Sequence, residues 1–407
     1  MSATSWAMAN APKPRRWRNK QTLFDAGAPQ KNNAPATREV SMRGNRTRAL
    51  VAAVTALAAT ALWASISAAQ TATMSPALKE LAAAADKEGT VIFQGSTTTW
   101  GGAEGAKRLG DRINKAYGTH ITVKWVPGTS FPEDGNAIAV SLKSNLPSPT
   151  DVYFGFSRNM AVFGKISMFQ SAPWKDYDPA RLGDDLVEQG KYVKIFSGTL
   201  GFTYNSEYAP SKPEQLSDFL KPEWKGKFGT TAFAAGFDQL SAKEAWGPEK
   251  AVEFGKKFIA NAGGFMLCTD FDRLASGEFA AFVTDCGGGN LQRMAKETGA
   301  PLVRVITPEM PLISFFYLGV PTNAVHPNAA KLLIVYLTSP EGQKYTYDQN
   351  LADVHLYPDS RMRSEIEAVE KKFGFKFGIA DVAWQETNAA GNAAQQNVAK
   401  LFRQAGK

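Results

Sequence analysis

Between residues 70 and 345, short β-branched and aromatic runs alternate with longer windows of helical period. This alternation restricts the chain to layered α/β architecture, with largely parallel sheets expected. A helix is expected over 76–87 and a strand over 90–94, ended by Gly95. The polar, glycine-bearing stretch 96–102 then leads into a helix through Tyr117. Strands follow at 121–126 and 151–154, with a helix at 136–145 between them and one or two strands within 192–204. The pattern then repeats, with a strand at 228–232 and a helix at 248–262 that places Val252, Gly255, Phe258, Ile259 and Ala262 on one face. Strands at 265–268, 280–284 and 302–306 alternate with helices at 271–277 and 289–298. After the apolar run 313–320, Pro327 opens a helix with Ala330, Leu333, Ile334 and Leu337 inward. Two α/β units result, as 407 residues require.

Charge is distributed unevenly. Of 46 basic and 38 acidic residues, ten basic residues but only Asp25 and Glu39 fall within 1–69, which accounts for the whole formal net charge of +8. The remaining 36 basic and 36 acidic residues balance, so nucleic acid is not an expected partner. Arg43, Arg46 and Arg48 precede an uncharged Ala/Leu/Val run at 49–66, and Ser67, Ala68 and Ala69 supply the small residues of a cleavage site. A signal peptide over 42–69, cut before Gln70, is therefore expected. Residues 1–41 form a polar extension, with Met42 as an alternative start. The competing reading is an uncleaved anchor, since about 18 apolar residues just span a bilayer. Alanine contributes little apolar area, which favours cleavage. No cysteine stands at the cleavage site, so lipid attachment there is not expected.

The two cysteines, Cys268 and Cys286, either form a disulfide in an oxidising compartment or remain a buried thiol pair. The chain has no G-x-S-x-G elbow, H-E-x-x-H helix, Walker loop or G-x-G-x-x-G turn. Three scattered histidines do not suggest a zinc site. Neither an enzyme nor a cofactor is expected.

Several blocks resemble one family. PEQLSDFLKPEWKGKFGTT at 213–231 resembles the W-x-D-L-x-x-P-x-W-K-G-K entry into the second lobe of family 1 extracellular solute-binding proteins of ABC importers, with Leu216 where the family often has Trp. HPNAAKLLIVYLTSPEGQ at 326–343 resembles a helix of the same family, and GTLGFTYN at 198–205 and ASGEFAAFVTD at 275–285 add weaker support. The resemblance implies a type II periplasmic binding fold: two lobes, each a mixed sheet flanked by helices, joined by crossing hinge strands. Lobe one would comprise 70–200 plus 318–407, and lobe two 201–317. The same resemblance implies its partners: a small-molecule solute in the cleft and an ABC permease in the inner membrane, with the binding protein monomeric and periplasmic. Iron-binding relatives carry adjacent tyrosines in lobe two. Here the corresponding stretch reads Asp285-Cys286-Gly287-Gly288-Gly289, which disfavours ferric iron.

Candidate ligand residues cluster after strands, where helix N-termini converge. Ser96, Thr97 and Thr99 offer hydroxyls, and Trp100 offers a wall. Arg158 suits a bidentate clamp on a carboxylate or phosphonate. In the second half, Asp270, Arg273 and Asp285 occupy corresponding strand ends. Tyr204 and Tyr317 fall on the presumed crossing strands. Each has a structural alternative: capping for the hydroxyls and Asp270, ion pairing for the charged groups, and packing for the aromatics. Arg158 and the hydroxyl loop point to an anionic organic solute, whereas Asp270, Asp272 and Asp285 would suit a polyamine or another cation. A binding protein that feeds a membrane sensor is the alternative use.

Overall fold

Ser75 accepts a hydrogen bond from the Leu78 amide and Pro76 follows it, so the first helix starts where its orphan amides are capped. The computed structural model describes residues 74–95, 99–287 and 289–406. The expected leader, the extension before it, and Ser96 and Thr97 lie outside the described residues. The described residues belong to one compact unit.

The strands are β1 (Thr90–Gly95), β2 (Thr122–Pro127), β3 (Tyr153–Phe156), β4 (Val187–Glu188), β5 (Tyr192–Thr199), β6 (Gly201–Asn205), β7 (Phe228–Thr230), β8 (Gly264–Phe265), β9 (Ala281–Val283), β10 (Leu302–Ile306), β11 (Leu312–Gly319) and β12 (Gly378–Ala380). The principal helices are α1 (Pro76–Glu88), α2 (Gly102–Tyr117), α3 (Phe131–Lys143), α4 (Ser157–Gly164), α5 (Pro248–Asn261), α6 (Gly289–Thr298), α7 (Pro327–Thr338), α8 (Pro340–Asn350), α9 (Arg361–Phe373) and α10 (Ala389–Gln404).

One sheet has the order β12-β11-β5-β4, with β3 also paired to β11, and the parallel pair β1-β2 lies beside it through a Phe93–Val152 bridge. A second sheet has the order β10-β6-β9-β7-β8. Both are mixed. The expectation of largely parallel sheets is corrected by β5, β6 and β11, which pair antiparallel with their neighbours β4, β9, β10 and β3. These strands carry the chain between sheets. Leu200 alone separates β5 in the first from β6 in the second, and residues 307–311 return from β10 to β11.

Helix α3 begins five residues earlier than expected, because Ser130 caps it and Pro132 fits its first turn. The strand expected over 265–268 shortens to β8, and the buried face of α5 is Ala251, Phe254, Gly255, Phe258 and Ile259, with Val252 toward its edge. Around the first sheet the core contains Phe93, Leu109, Ile195, Leu333 and Leu337, all fully buried. Each such side chain contributes about 1.5–3 kcal/mol of apolar burial. A second core contains Phe202, Phe228, Phe237 and Phe258.

The C-terminal helix α10, assigned from the resemblance to lobe one, joins this second core through Val398 and Phe402. The Phe402 ring lies 5.5 Å from that of Phe237. Gly255 permits the approach, since a Cβ there would meet Val398 at 2.9 Å. Strand β11 likewise enters the first sheet at Leu312, six residues before the expected boundary.

Candidate functional site

Parallel strands β1 and β2 end together at Gly95 and Pro127, with Gly128 donating to the Gly95 carbonyl. The turns beyond lead into α2 and α3, and β3 leads directly into α4. On this side, Phe131 from α3, Phe156 from β3 and Phe316 from β11 are half-buried. Their ring centroids are separated by 5.1 Å (Phe131–Phe156) and 3.9 Å (Phe156–Phe316). They continue a buried aromatic series through Phe154 and Phe196 to Trp100.

Arg158 lies in the first turn of α4, half-buried, and donates to the Gln395 side-chain oxygen. Gln395 belongs to α10 and donates in turn to the Ala234 carbonyl at 3.0 Å, in the loop after β7. Arg158 therefore reaches from the first sheet's helices to the helix seated on the second core. Among the described residues it has no carboxylate partner. Two large apolar side chains in the loops after β7 and β8, Phe233 and Leu267, are exposed.

Asp134, one turn into α3, is nine-tenths buried. Its Oδ1 accepts from the Gln94 side-chain amide at 3.1 Å and from the Thr129 backbone amide at 3.0 Å. Burial raises its pKa above the ordinary aspartate value, against the lowering effect of the Thr129 amide. Among the described residues no lysine, arginine or histidine pairs with it, and the Gln94 Oε1 is buried without a partner.

Other expected site residues take structural roles. Trp100 is 1% exposed, and its indole donates to Thr346 at 3.0 Å, so it packs in the first core rather than forming a cleft wall. Tyr204 is buried in the second core. Tyr317 is fully buried and donates to Glu188, and burial beside that carboxylate holds its phenol well above the usual range. The two crossing-strand tyrosines are therefore buried, as are nearly all positions of β6 and β11, strands that are covered on both faces. Asp285 is fully buried. It accepts from Thr203 at 2.8 Å and from the Arg304 guanidinium at 3.2 Å. Asp270 accepts from the Leu267 amide and pairs with Arg273, which also engages Glu278 at 2.7 Å and stacks over Phe279. Asp270 makes no side-chain cap on the short helix that follows it, and both side chains are engaged in local ion pairs. Thr99 remains half-buried at the start of a short 3-10 turn.

Cys268 and Cys286 form a disulfide that joins the loop after β8 to the segment after β9. Thr284 and Cys286, on either side of Asp285, both have positive φ (58° and 56°), a conformation that costs a β-branched residue such as threonine.

Several site residues were not anticipated. Asp134 lay ahead of the expected helix, and Gln395 lay in a C-terminal region given no elements. The Ser-Phe-Pro-Glu start of α3 was the available signal for the first. Phe131, Phe156, Phe233 and Phe316 read as ordinary core candidates in sequence.

Among the described residues no helix is long and apolar enough to cross a membrane, and no group of three or more His, Cys, Asp or Glu is placed to hold a metal. A separate cavity of about 230 Å³ includes Gln343, Asp353, Tyr357 and Asp359. Asp353 already caps α9, and Asp359 pairs with Arg181.

The fold is similar to that of solved binding proteins. AgtB from A. tumefacien R10, in complex with agropinic acid, superposes with a TM-score of 0.57 at 16% identity, covering 77% of this chain and 98% of that one. AfuA from Actinobacillus pleuropneumoniae, with fructose-6-phosphate bound, gives 0.55 at 19% identity, covering 77% and 96%. The apo ferric ion-binding protein A of Pasteurella haemolytica gives 0.58 at 15% identity, covering 77% and 98%. At these identities the likeness establishes the two-sheet periplasmic binding fold. No curated protein matches the chain by sequence. The family model described as bacterial extracellular solute-binding protein matches residues 108–353, well over half of the chain, and the protein belongs to that family.

Proposed function

We propose that this solute-binding protein serves an ABC importer, capturing a small organic anion between its two sheets and presenting it to a permease in the inner membrane. Arg158 carries this reading. It is a half-buried guanidinium at the end of β3 whose partner is the neutral Gln395 amide. A ligand carboxylate or phosphonate would offer it a charge-assisted, bidentate partner. The proposed lobes are residues 70–200 with the strand and helices from 312 onward, and residues 201–311, with α10 moving alongside the second. The leader is proposed to be cleaved before Gln70, releasing the protein to the periplasm as a monomer.

A cation is the second reading, favoured by the unpaired, buried Asp134. Ligand capture without chemistry fits both readings.

Closure requires that ligand bind the closed form more tightly than the open form. Small-angle scattering of the mature protein with and without a ligand found by thermal-shift screening tests this. A decrease in radius is expected for wild type. A radius that does not change at saturation would refute hinge closure, and a cation as the tightest ligand would replace the anionic reading.

A further inference from the structure

Asp134 and Arg158 lie on neighbouring helices, each without a counter-charge, whereas Asp285 is matched by Arg304 and Glu188 by Lys194. Among the described residues, Asp134 has no cationic partner and Arg158 no anionic one. Burying an ionised group without a counter-charge is costly, so such groups normally pair or bind a ligand of opposite sign. The two do not pair with each other, although their helices adjoin. Gly135 of α3 packs against the Phe163 ring of α4, and Phe131 contacts Phe156 at 5.1 Å. The Phe131–Phe156–Phe316 surface is half-buried beside them.

The polar atoms left without a partner at Asp134 are acceptors. Its Oδ1 is held by the Gln94 and Thr129 amides, which fixes the carboxylate in place. The hydrogen bonds its carboxylate makes with the described residues both go to Oδ1, and the Gln94 Oε1 is buried without a partner. Two acceptors, one near the end of β1 and one in the first turn of α3, suit a donor with several hydrogens, and a protonated amine supplies three. The guanidinium of Arg158 suits a carboxylate.

We propose that the solute is a zwitterion, its carboxylate taken by Arg158 and its ammonium group by Asp134 with Gln94, its carbon skeleton lying on the half-buried phenylalanines. This deepens the anionic-solute reading and rests on it for the Arg158 half. A ligand bearing both charges would neutralise both sites at once. A simple carboxylate would leave Asp134 unpaired, and a simple amine would leave Arg158 held only by Gln395.

Isothermal titration of the mature protein with matched triads separates the possibilities. One triad is L-phenylalanine, 3-phenylpropionate and phenethylamine; the other is 5-aminovalerate, valerate and pentylamine. In at least one triad the zwitterion is expected to bind roughly tenfold or more tightly than either singly charged analogue. Asp134→Asn should remove the zwitterion's preference over the carboxylate, and Asp134→Glu should restore part of it, with melting temperature verifying the fold of each variant. Equal binding of carboxylate and zwitterion would overturn the zwitterion proposal but leave the anionic reading intact. An amine that binds as well as the zwitterion would overturn both. Absence of binding in both triads would overturn the zwitterion assignment.

Discussion

Arg158 donates to the side chain of Gln395, so the helix that follows β3 is tied to a C-terminal helix whose apolar face lies in the other core. Ligand entry at Arg158 competes with this tie. Arg158→Ala is expected to weaken binding of an anionic ligand by about 2–5 kcal/mol, because the ligand's charge is left unpartnered. Calorimetry on the variant checks this. An unchanged affinity would remove Arg158 from the site.

The Asp285–Arg304 pair secures the passage between sheets. Arg304 also donates to the Thr199 carbonyl at 2.6 Å, at the end of β5, and Asp285 is fully buried. Arg304→Met should strand the Asp285 carboxylate and cost about 3–5 kcal/mol in urea unfolding. The double variant with Asp285→Asn should recover much of this loss. A single-variant cost below about 1 kcal/mol would contradict a buried, coupled pair.

The disulfide closes a loop with a sequence separation of 18. Replacing both Cys268 and Cys286 with Ser should lower stability by about 3 kcal/mol through the freed unfolded chain. Binding affinity should stay within a few-fold of wild type. Loss of binding by a folded double variant would give the bond a direct role in shaping the site.

His355 makes acid stability measurable. Its ring lies against Phe315, Ser197 Oγ is 2.6 Å from Nδ1, and burial holds its pKa down to about 4. The folded state therefore keeps it neutral, whereas the unfolded chain binds a proton near pH 6.5. The associated stability is complete above pH 6.5 and is lost as pH falls from there toward 4, by about 3 kcal/mol in total. His355→Gln should flatten that part of the pH–stability curve. An unaltered slope would place the ring outside the titration.

The element order was largely legible from sequence. The β-branched and aromatic runs became β1, β2, β5, β6 and β10, the apolar run 313–320 became most of β11, and the helices from Pro76, Pro248 and Pro327 started at their prolines. Local chemistry determines these features, because backbone geometry and amphipathic period act over a few residues. The localisation of excess charge to residues 1–69 was also a property of sequence alone. Tertiary structure decided which polar and aromatic residues were free. Tyr204, Tyr317, Trp100 and Asp285 carry site chemistry by residue type, yet each is consumed by a core or a buried partner contributed from far along the chain. Asp134 and Gln395 became prominent only when α3 met β1 and α10 met the second core. Whether a charge has a counter-charge depends on contacts between distant segments, and those contacts exist only once the chain has folded.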